Sequence, residues 1–241
     1  MVNPSFHLKY IGMSYDQDGV SIPHGMGKYY HRNGRVHYEG AFVDGMPHGT
    51  GKEYSEDGTL LYEGGFYEGK WHGLGKNYSK SGILLYEGEF ANNVPSGQGK
   101  SYTPEGELLY EGSFSGGLRN GVGRYYENGM LRYEGEFRGD VPDGQGREYS
   151  EDGTLAYEGT FSQGAHEGRG RLYFKSGVLN YEGSFAGGLP AGQGRLYDRS
   201  GRLQYEGEVL NGEPHGKGRV YPEDGSEAED GEFRNGERRK K

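Results

Sequence analysis

A basic residue and a glutamate each recur about every 24 residues along the chain. The basic residues are Lys28, Lys52, Lys76, Lys100, Arg124, Arg147, Arg171, Arg195 and Arg219. The glutamates are Glu39, Glu63, Glu87, Glu111, Glu134, Glu158, Glu182 and Glu206. The cations from Lys52 to Arg195 are a candidate anion-facing column that could bind lipid phosphates. Alternatively, each cation lies over a cross-strand tyrosine and neutralises nearby carboxylates, which we favour because the column skips no repeat.

Other residues that could take part in catalysis or bind a ligand follow the same period. Their pattern predicts no catalytic, cofactor-binding or metal site. Histidines recur at His24, His48, His72 and His215, but strand geometry would space them roughly 10 Å apart, and zinc ligands lie about 2 Å from the ion. The stretch from Gly97 to Ser101 resembles a phosphate loop, but that motif needs glycine where Val94 stands. Because the chain also lacks cysteine, we expect a protein that is not an enzyme.

Several aromatic residues fall outside the periodic pattern, and the candidate partner-binding residues among them are Tyr67, Trp71, Tyr125 and Phe174, with Tyr15 and Tyr29 as further candidates. Exposed aromatic side chains often anchor protein interfaces. We expect Tyr67 to point away from the face that carries Phe66. We place Trp71, the only tryptophan, in a loop.

The composition indicates a thin repeat protein without a deep core. Only 31% of the 241 residues are hydrophobic and 49 are glycine, yet the chain has 22 tyrosines and 10 phenylalanines, too many for a solvated coil. The net charge of -9 argues against a nucleic-acid partner. The first ten residues lack the apolar stretch of a secretory signal. No apolar run is long enough to span a membrane, so we expect a cytoplasmic protein.

The phrase Tyr-Glu-Gly-x-Phe sets the period and divides the chain. Its spacing is 24 residues, with a single step of 23, and such periods are typical of repeat arrays. The sequence predicts a lead-in over residues 1–9, an array over 10–236 and a basic, solvated tail over 237–241. Repeats start near residues 10, 38, 62, 86, 110, 133, 157, 181 and 205, with a half repeat at 229.

Glycine clusters separate pieces of four to six residues that alternate with period two, which indicates short strands. Residues 56–58 predict a hairpin loop in which Tyr54 faces Leu60 and Lys52 faces Tyr62. In the 23-residue repeat, Asn128 and Gly129 predict a two-residue turn that places Tyr126 opposite Leu131 and Arg124 opposite Tyr133.

This register has a consequence for the two faces of the sheet. Counting the tyrosine of Tyr-Glu-Gly as position 1, it places Tyr, Phe, Tyr and Leu of positions 1, 5, 17 and 23 on one face. The glycine at position 3 leaves room for a ring to lie across the backbone. We expect the rings of successive hairpins to stack into a continuous ladder.

The pattern Tyr-Glu-Gly-x-Phe followed by Gly-x-x-x-Gly-x-Gly, as in the segment from Tyr38 to Lys52, resembles the MORN (membrane occupation and recognition nexus) repeat from about Tyr10 to Gly236. Most repeats here have one residue more than the usual 23, and phenylalanine stands where tryptophan is common. The stretch from Tyr125 to Leu131 resembles the bacterial MORN variant, some members of which are antitoxin-like. The predicted fold class is all-β: an elongated, open-ended, single-layer, twisted antiparallel sheet of about nine tandem β-hairpin repeats with a concave groove.

The resemblance implies binding rather than catalysis. Members of the family bind partner helices or anionic lipids, and some dimerise through their open sheet ends. We therefore expect a scaffold or adaptor that holds a peptide or helix of another protein against the aromatic residues of the groove. The alternatives are peripheral binding to anionic phospholipid membranes and neutralisation of a partner as an antitoxin or immunity-type protein. A homodimer through the sheet ends is a further expectation.

Overall fold

The computed structural model describes residues 9–239, and every regular element in that range is a β-strand. The same range therefore contains no helix that could cross a membrane. The first strands are β1 (Lys9–Gln17), β2 (Val20–Tyr30), β3 (Val36–Val43), β4 (Met46–Tyr54), β5 (Leu60–Tyr67), β6 (Lys70–Tyr78), β7 (Leu84–Ala91), β8 (Val94–Tyr102) and β9 (Leu108–Ser115). The rest are β10 (Leu118–Glu127), β11 (Met130–Arg138), β12 (Val141–Tyr149), β13 (Leu155–Ser162), β14 (Ala165–Tyr173), β15 (Leu179–Ala186), β16 (Leu189–Tyr197), β17 (Leu203–Leu210), β18 (Glu213–Val220), β19 (Glu229–Arg234) and β20 (Glu237–Arg238).

The chain forms two compact units, Met1–Leu118 and Arg119–Lys241, which we call the N-terminal and C-terminal units. Within each unit, successive strands pair antiparallel in chain order, as in β3 with β4 and β13 with β14. Each unit is therefore an open antiparallel sheet built from β-hairpins, which confirms the predicted all-β hairpin-repeat fold.

Two kinds of connection join most of the successive strands. One is a two-residue turn in which both residues have positive φ, as in Asp44 at 50° and Gly45 at 82°, the geometry of a type I′ hairpin turn. The other is a longer loop, in which the amide of Ser55 donates to the carbonyl of Thr59 at 2.9 Å and the amide of Gly58 donates to the carbonyl of Ser55 at 2.9 Å. The sequence predicted the second kind and, of the first kind, only the turn at Asn128 and Gly129, where φ is 52° and 75°.

The register at the 55–59 loop is as predicted next to the loop and differs beyond it. Tyr54 pairs with Leu60 as expected, but Lys52 pairs with Glu63, one residue past the predicted Tyr62. The register shifts immediately before Tyr54 because β5 carries one extra residue in a β-bulge. The predicted pairing of Lys52 is therefore wrong by one residue.

In the 23-residue repeat the strand register differs from the prediction by the same one residue. Tyr126 pairs with Leu131 as predicted, and Arg124 pairs with Glu134 rather than with the predicted Tyr133. The bulge is therefore a feature of the repeat, and it survives the loss of one loop residue.

Because of the bulge, the recurring tyrosines of positions 1 and 17 lie on opposite faces of the sheet. Tyr38 pairs with Glu53, and because neighbouring residues of a strand point to opposite sides, Tyr54 lies on the face opposite Tyr38. Its hydroxyl donates to Glu39 at 2.8 Å. We call the face of Tyr38 and Phe42 the ladder face, and the face of Glu39 and Tyr54 the charge face. The prediction that positions 1, 5, 17 and 23 share one face is wrong.

The core lies on the ladder face and depends on paired glycines. The ring of Tyr38 is 2% exposed and crosses Gly40 and Gly51, which pair with each other. A Cβ added to Gly51 would lie 2.3 Å from the hydroxyl of Tyr38, so no other residue fits there. The same hydroxyl donates to the carbonyl of Ala41 at 3.0 Å, which satisfies the polar end of a buried ring.

Edge-to-face ring contacts join successive hairpins within each unit. Tyr38 contacts Phe42 and Phe66 with ring centroids 5.0 and 4.9 Å apart, and the pattern continues to Phe114. The C-terminal unit repeats it from Tyr133 to Phe185. The predicted ring ladder is confirmed within each unit.

Residues 237–239 do not form the free tail that the sequence predicted. Glu237 and Arg238 form β20, which pairs with β19, and the guanidinium of Arg238 donates to Glu229 and to the carbonyl of Asp230. The carboxylates of β19 pair with this basic segment, whose side chains remain exposed as predicted. The other two residues of the predicted tail and residues 1–8 of the lead-in lie outside the described residues.

Candidate binding surface

The basic column lies on the charge face, and each of its lysines lies close to a glutamate of the next repeat. The ammonium of Lys52 is 3.4 Å from Glu63, and that of Lys76 is 3.1 Å from Glu87. Lys28 and Lys100 make the same contact with Glu39 and Glu111 at 2.7 and 3.5 Å. The cations face glutamate rather than the predicted tyrosine across the strand pair, so each is paired with a carboxylate of the sheet while its side chain stays about half exposed.

Three arginines of the basic column in the C-terminal unit bridge two glutamates each. Arg171 lies 3.2 Å from Glu158 and 3.6 Å from Glu182, and Arg147 and Arg195 bridge their own neighbours in the same way. Arg124 lies 3.4 Å from Glu134. A planar guanidinium can reach two carboxylates at once, whereas an ammonium is a compact point charge.

Tyrosine hydroxyls complete this network from the charge face. Tyr173 donates to Glu158 at 2.7 Å, and Tyr78 donates to Glu63 at 2.8 Å. These bonds are the largest cause of the lowered pKa of the two carboxyl groups, and the neighbouring cations lower that pKa further. Burial, with the nearby Glu63 carboxylate, raises the pKa of Tyr78 to about 12. The glutamates therefore stay ionised and opposite the basic column at neutral pH.

Trp71 is part of the scaffold rather than of a loop. It lies near the start of β6, pairs with Phe66 and stacks on Tyr62 with ring centroids 4.4 Å apart and planes inclined by 5°. Its indole Nε1 donates to Glu53 at 2.8 Å. The prediction placed it in a loop because the two-residue turn at Glu68 and Gly69 was not recognised.

Tyr125 and Phe174 are both half-buried. Tyr125 pairs with Tyr133, and the guanidinium carbon of Arg119 lies 5.2 Å from the centre of its ring. Phe174 lies in the loop after β14, where its amide donates to the carbonyl of Val178 at 2.9 Å. Both residues belong to the C-terminal unit, whereas Tyr67 and Trp71 belong to the N-terminal unit.

Tyr67 is 49% exposed on the charge face, where its ring contacts His48 and His72 with centroids 5.1 and 5.7 Å apart. Other apolar side chains are exposed on the same unit. Between residues 9 and 118 the large exposed ones are Ile11, Met13, Tyr15, Val20, Met26, Val43, Met46, Tyr67, Leu74, Val94 and Leu118. Large exposed apolar groups are typical of interaction surfaces when they lie close together.

Met26 and Leu74 occupy equivalent repeat positions on one face of the N-terminal unit. Leu74 pairs with Glu89 and directly precedes Gly75, which lies under Tyr62. Met26 pairs with Ala41 and directly precedes Gly27 in the equivalent place. Both side chains therefore point to the charge face, with exposures of 73% and 58%. We call the side chains of Met13, Met26, Met46, Tyr67 and Leu74 the apolar patch.

The C-terminal unit does not reproduce this patch. From residue 119 to residue 239 the large exposed apolar residues are Val122, Met130, Val141, Leu189 and Leu210. At the repeat position of Leu74, this unit has Val122, Gln145, Arg169, Gln193 and Lys217. The charge face of the C-terminal unit is therefore more polar, although its scaffold is the same.

One arrangement of side chains, a ring stacked on a buried tyrosine and bonded to a glutamate, recurs on the ladder faces of the two units. The stretch from Glu53 to Leu60 is identical to the stretch from Glu148 to Leu155. In the second copy the ring of His166 takes the place of Trp71: it stacks on Tyr157 at 3.6 Å, and its Nε2 lies 2.8 Å from Glu148. Among residues 9–239, no group of three or more histidine, aspartate or glutamate side chains is arranged to hold a metal ion.

The fold and the regular columns of paired charges define a β-hairpin repeat protein. The MORN repeat model matches residues 22–34, 38–60, 86–107, 110–130, 133–155, 157–178, 181–201 and 205–226, and the MORN repeat variant model matches residues 71–92. The chain belongs to the MORN-repeat family. No curated protein matches the sequence. MORN repeats are a non-enzymatic repeat type generally involved in binding proteins or membrane lipids.

The variant match lies around Trp71 rather than at the stretch from Tyr125 to Leu131, which the sequence analysis likened to the variant. Sequence reasoning also missed the apolar patch, apart from Tyr67. The signal for it was present in the positions that the repeat leaves free, where the N-terminal repeats have Met26 and Leu74 and most later repeats have polar residues.

Proposed function

We propose that this chain is a non-enzymatic scaffold that binds another protein through the apolar patch on the charge face of its N-terminal unit. The observation that supports the proposal is the exposure of Met26, Tyr67 and Leu74 on one face of one unit. Methionine and aromatic side chains are enriched in the buried centres of protein interfaces.

Binding to an anionic membrane is the weaker candidate. The four lysines of the basic column in the N-terminal unit lie against glutamates at 2.7 to 3.5 Å, and the net charge is -9. A lipid headgroup would have to displace those glutamates, whereas a protein partner needs only to cover apolar side chains.

The anchors for the partner differ from those expected from the sequence. The rings of the ladder are at most 7% exposed, so a partner has little access to them. Tyr67 and Leu74 have the exposed area that the ladder lacks, and a partner that covers them would remove apolar surface from water.

The experiment is affinity capture of the tagged chain from the cytosol of its source cells, with two matched variants. Leu74→Glu places a charge in the apolar patch. Val122→Glu places the same charge at the same repeat position of the C-terminal unit, where the side chain is 66% exposed. A protein that is retained by the wild type and by Val122→Glu, and lost with Leu74→Glu, is the expected result.

Vesicles of phosphatidylserine and phosphatidylcholine provide the opposing test. If no protein depends on Leu74 while the chain floats with these vesicles in a salt-dependent manner, the membrane role is correct and the proposal is wrong. Equal loss of one partner with both variants would place the binding surface elsewhere.

A further inference from the structure

The described methionines all lie at the surface. Met13, Met26, Met46 and Met130 are 58%, 58%, 44% and 50% exposed. Methionine is ordinarily among the residues most often buried. The buried apolar core of residues 9–239 consists of tyrosine and phenylalanine, together with Val209.

Three of the four methionines belong to the apolar patch. Met13 lies over Gly25, because a Cβ added to that glycine would be 2.7 Å from the methionine Cε. Met26 pairs with Ala41, and Met46 pairs with Val43 beside the hairpin turn. Their thioethers are therefore part of the surface that a partner would cover, and in the free protein they are open to small reagents.

We propose that Met13, Met26 and Met46 form a peroxide-sensitive site whose oxidation makes the apolar patch polar without unfolding the sheet. The inference rests on the proposed function only for its effect on partner binding. A lone pair of the thioether sulfur attacks one oxygen of a hydroperoxide, the O–O bond breaks, and an S–O bond forms. Methionine is oxidised to the sulfoxide, the hydroperoxide is reduced, and the second oxygen leaves as water (or as an alcohol) after taking up the proton.

The fold should tolerate this change because the scaffold contains no buried methionine among the described residues. Ring contacts, glycine pairs and glutamate–cation pairs hold the hairpins, and sulfoxide formation alters none of them. The sulfoxide is polar and hydrogen-bonds to water, so the patch loses apolar character. Methionine sulfoxide reductases reverse the reaction, which makes the change a switch rather than simple damage.

The experiment treats the full chain with hydrogen peroxide and measures three properties: the sites of oxygen addition by peptide mass spectrometry, retention on a hydrophobic-interaction column, and the thermal melting temperature. The test variant is Met13→Leu with Met26→Leu and Met46→Leu, which keeps the patch apolar but cannot form a sulfoxide. The control is Met130→Leu, which removes the exposed methionine of the C-terminal unit.

We expect Met13, Met26 and Met46 to oxidise in the folded chain within about threefold of the rate of free methionine, with earlier elution and an unchanged melting temperature. The triple variant should not shift in elution, and Met130→Leu should shift like the wild type. Capture of the partner should fall about tenfold on oxidation and recover with the reductase. Oxidation only after unfolding, or elution unchanged by it, would overturn the inference. Loss of capture with Leu74→Glu but none on oxidation would overturn its binding part and leave the proposed function standing.

Discussion

The N-terminal and C-terminal units have the same scaffold and different exposed side chains. The stretch from Glu53 to Leu60 recurs without change at Glu148 to Leu155, and the ring ladders agree within a few tenths of an ångström. The column of cations, however, is lysine in the first unit and arginine in the second, and the apolar patch is present only in the first. Residues that build the hairpin are thus fixed by the repeat, and the remaining positions can give each unit a different role.

The first prediction concerns the shared scaffold and has the largest effect. Tyr62→Ala and Tyr157→Ala each remove a ring that is fully buried, and each should lower the free energy of unfolding by about 3 to 5 kcal/mol. The costs should agree within about 1 kcal/mol, because both rings have the same two edge-to-face phenylalanine contacts and differ in the ring that stacks on them. Urea unfolding followed by circular dichroism measures both free energies. A loss of stability in only one of the two variants would contradict the claim that the units share one scaffold.

The second prediction separates the units at the ring that stacks on these tyrosines. Trp71→Ala should cost about 2 to 3 kcal/mol and His166→Ala about 1 to 2 kcal/mol, because the indole buries more apolar area. Both variants also leave a glutamate, Glu53 or Glu148, without its bond. A larger loss for His166→Ala in the same urea experiment would contradict this ranking.

The third prediction uses acid. The ring of His37, 3.6 Å away, and the indole of Trp71 lower the pKa of Glu53, and the ring of His166 lowers that of Glu148. Because each folded-state pKa lies below the unfolded value of about 4.3, the stabilisation is present above that pH and is lost as pH falls through the folded-state pKa. Urea midpoints from pH 7 to pH 3 should fall less steeply for Glu53→Gln and Glu148→Gln than for the wild type. Parallel curves would exclude this contribution.

The fourth prediction has the smallest effect and tests the two columns of cations. Arg171→Lys should lower the free energy of unfolding by less than about 1 kcal/mol, because the side chain is half exposed and loses one of its two glutamates. The reverse exchange, Lys76→Arg, should stabilise by a similar small amount. In 1 M salt, where screening acts over about 3 Å, both differences should shrink towards zero; differences that persist would show that packing rather than charge distinguishes the columns.

Much of this fold was predictable because the same residue types recur at the same positions in many repeats. The tyrosine and phenylalanine columns, the glycine that leaves room for a ring and the loop at residues 55–59 all followed from spacing. The bulge was not predictable, because the extra residue in β5 has no distinctive residue type. It nevertheless changes the cross-strand partner of Lys52 from Tyr62 to Glu63. The turn at Glu68 and Gly69 was missed because glutamate with positive φ is uncommon.

The candidate surface was harder to predict than the fold. Tyr67 was identified because an aromatic residue outside the periodic columns stands out in the sequence. Met26 and Leu74 were not, because aliphatic residues in a strand are ordinarily taken for core. Only the three-dimensional register, which places them beside Ala41 and Glu89 on the charge face, shows that they are exposed.

The measurement that tests the central claim most directly is photo-crosslinking in living cells. A photoreactive phenylalanine analogue replaces Leu74 in one variant and Val122 in another, two positions that are equivalent in the repeat and 73% and 66% exposed. We predict a discrete crosslinked protein from position 74 and none from position 122. Equal crosslinking from both positions, or crosslinking from position 122 alone, would contradict the assignment of partner binding to the N-terminal unit.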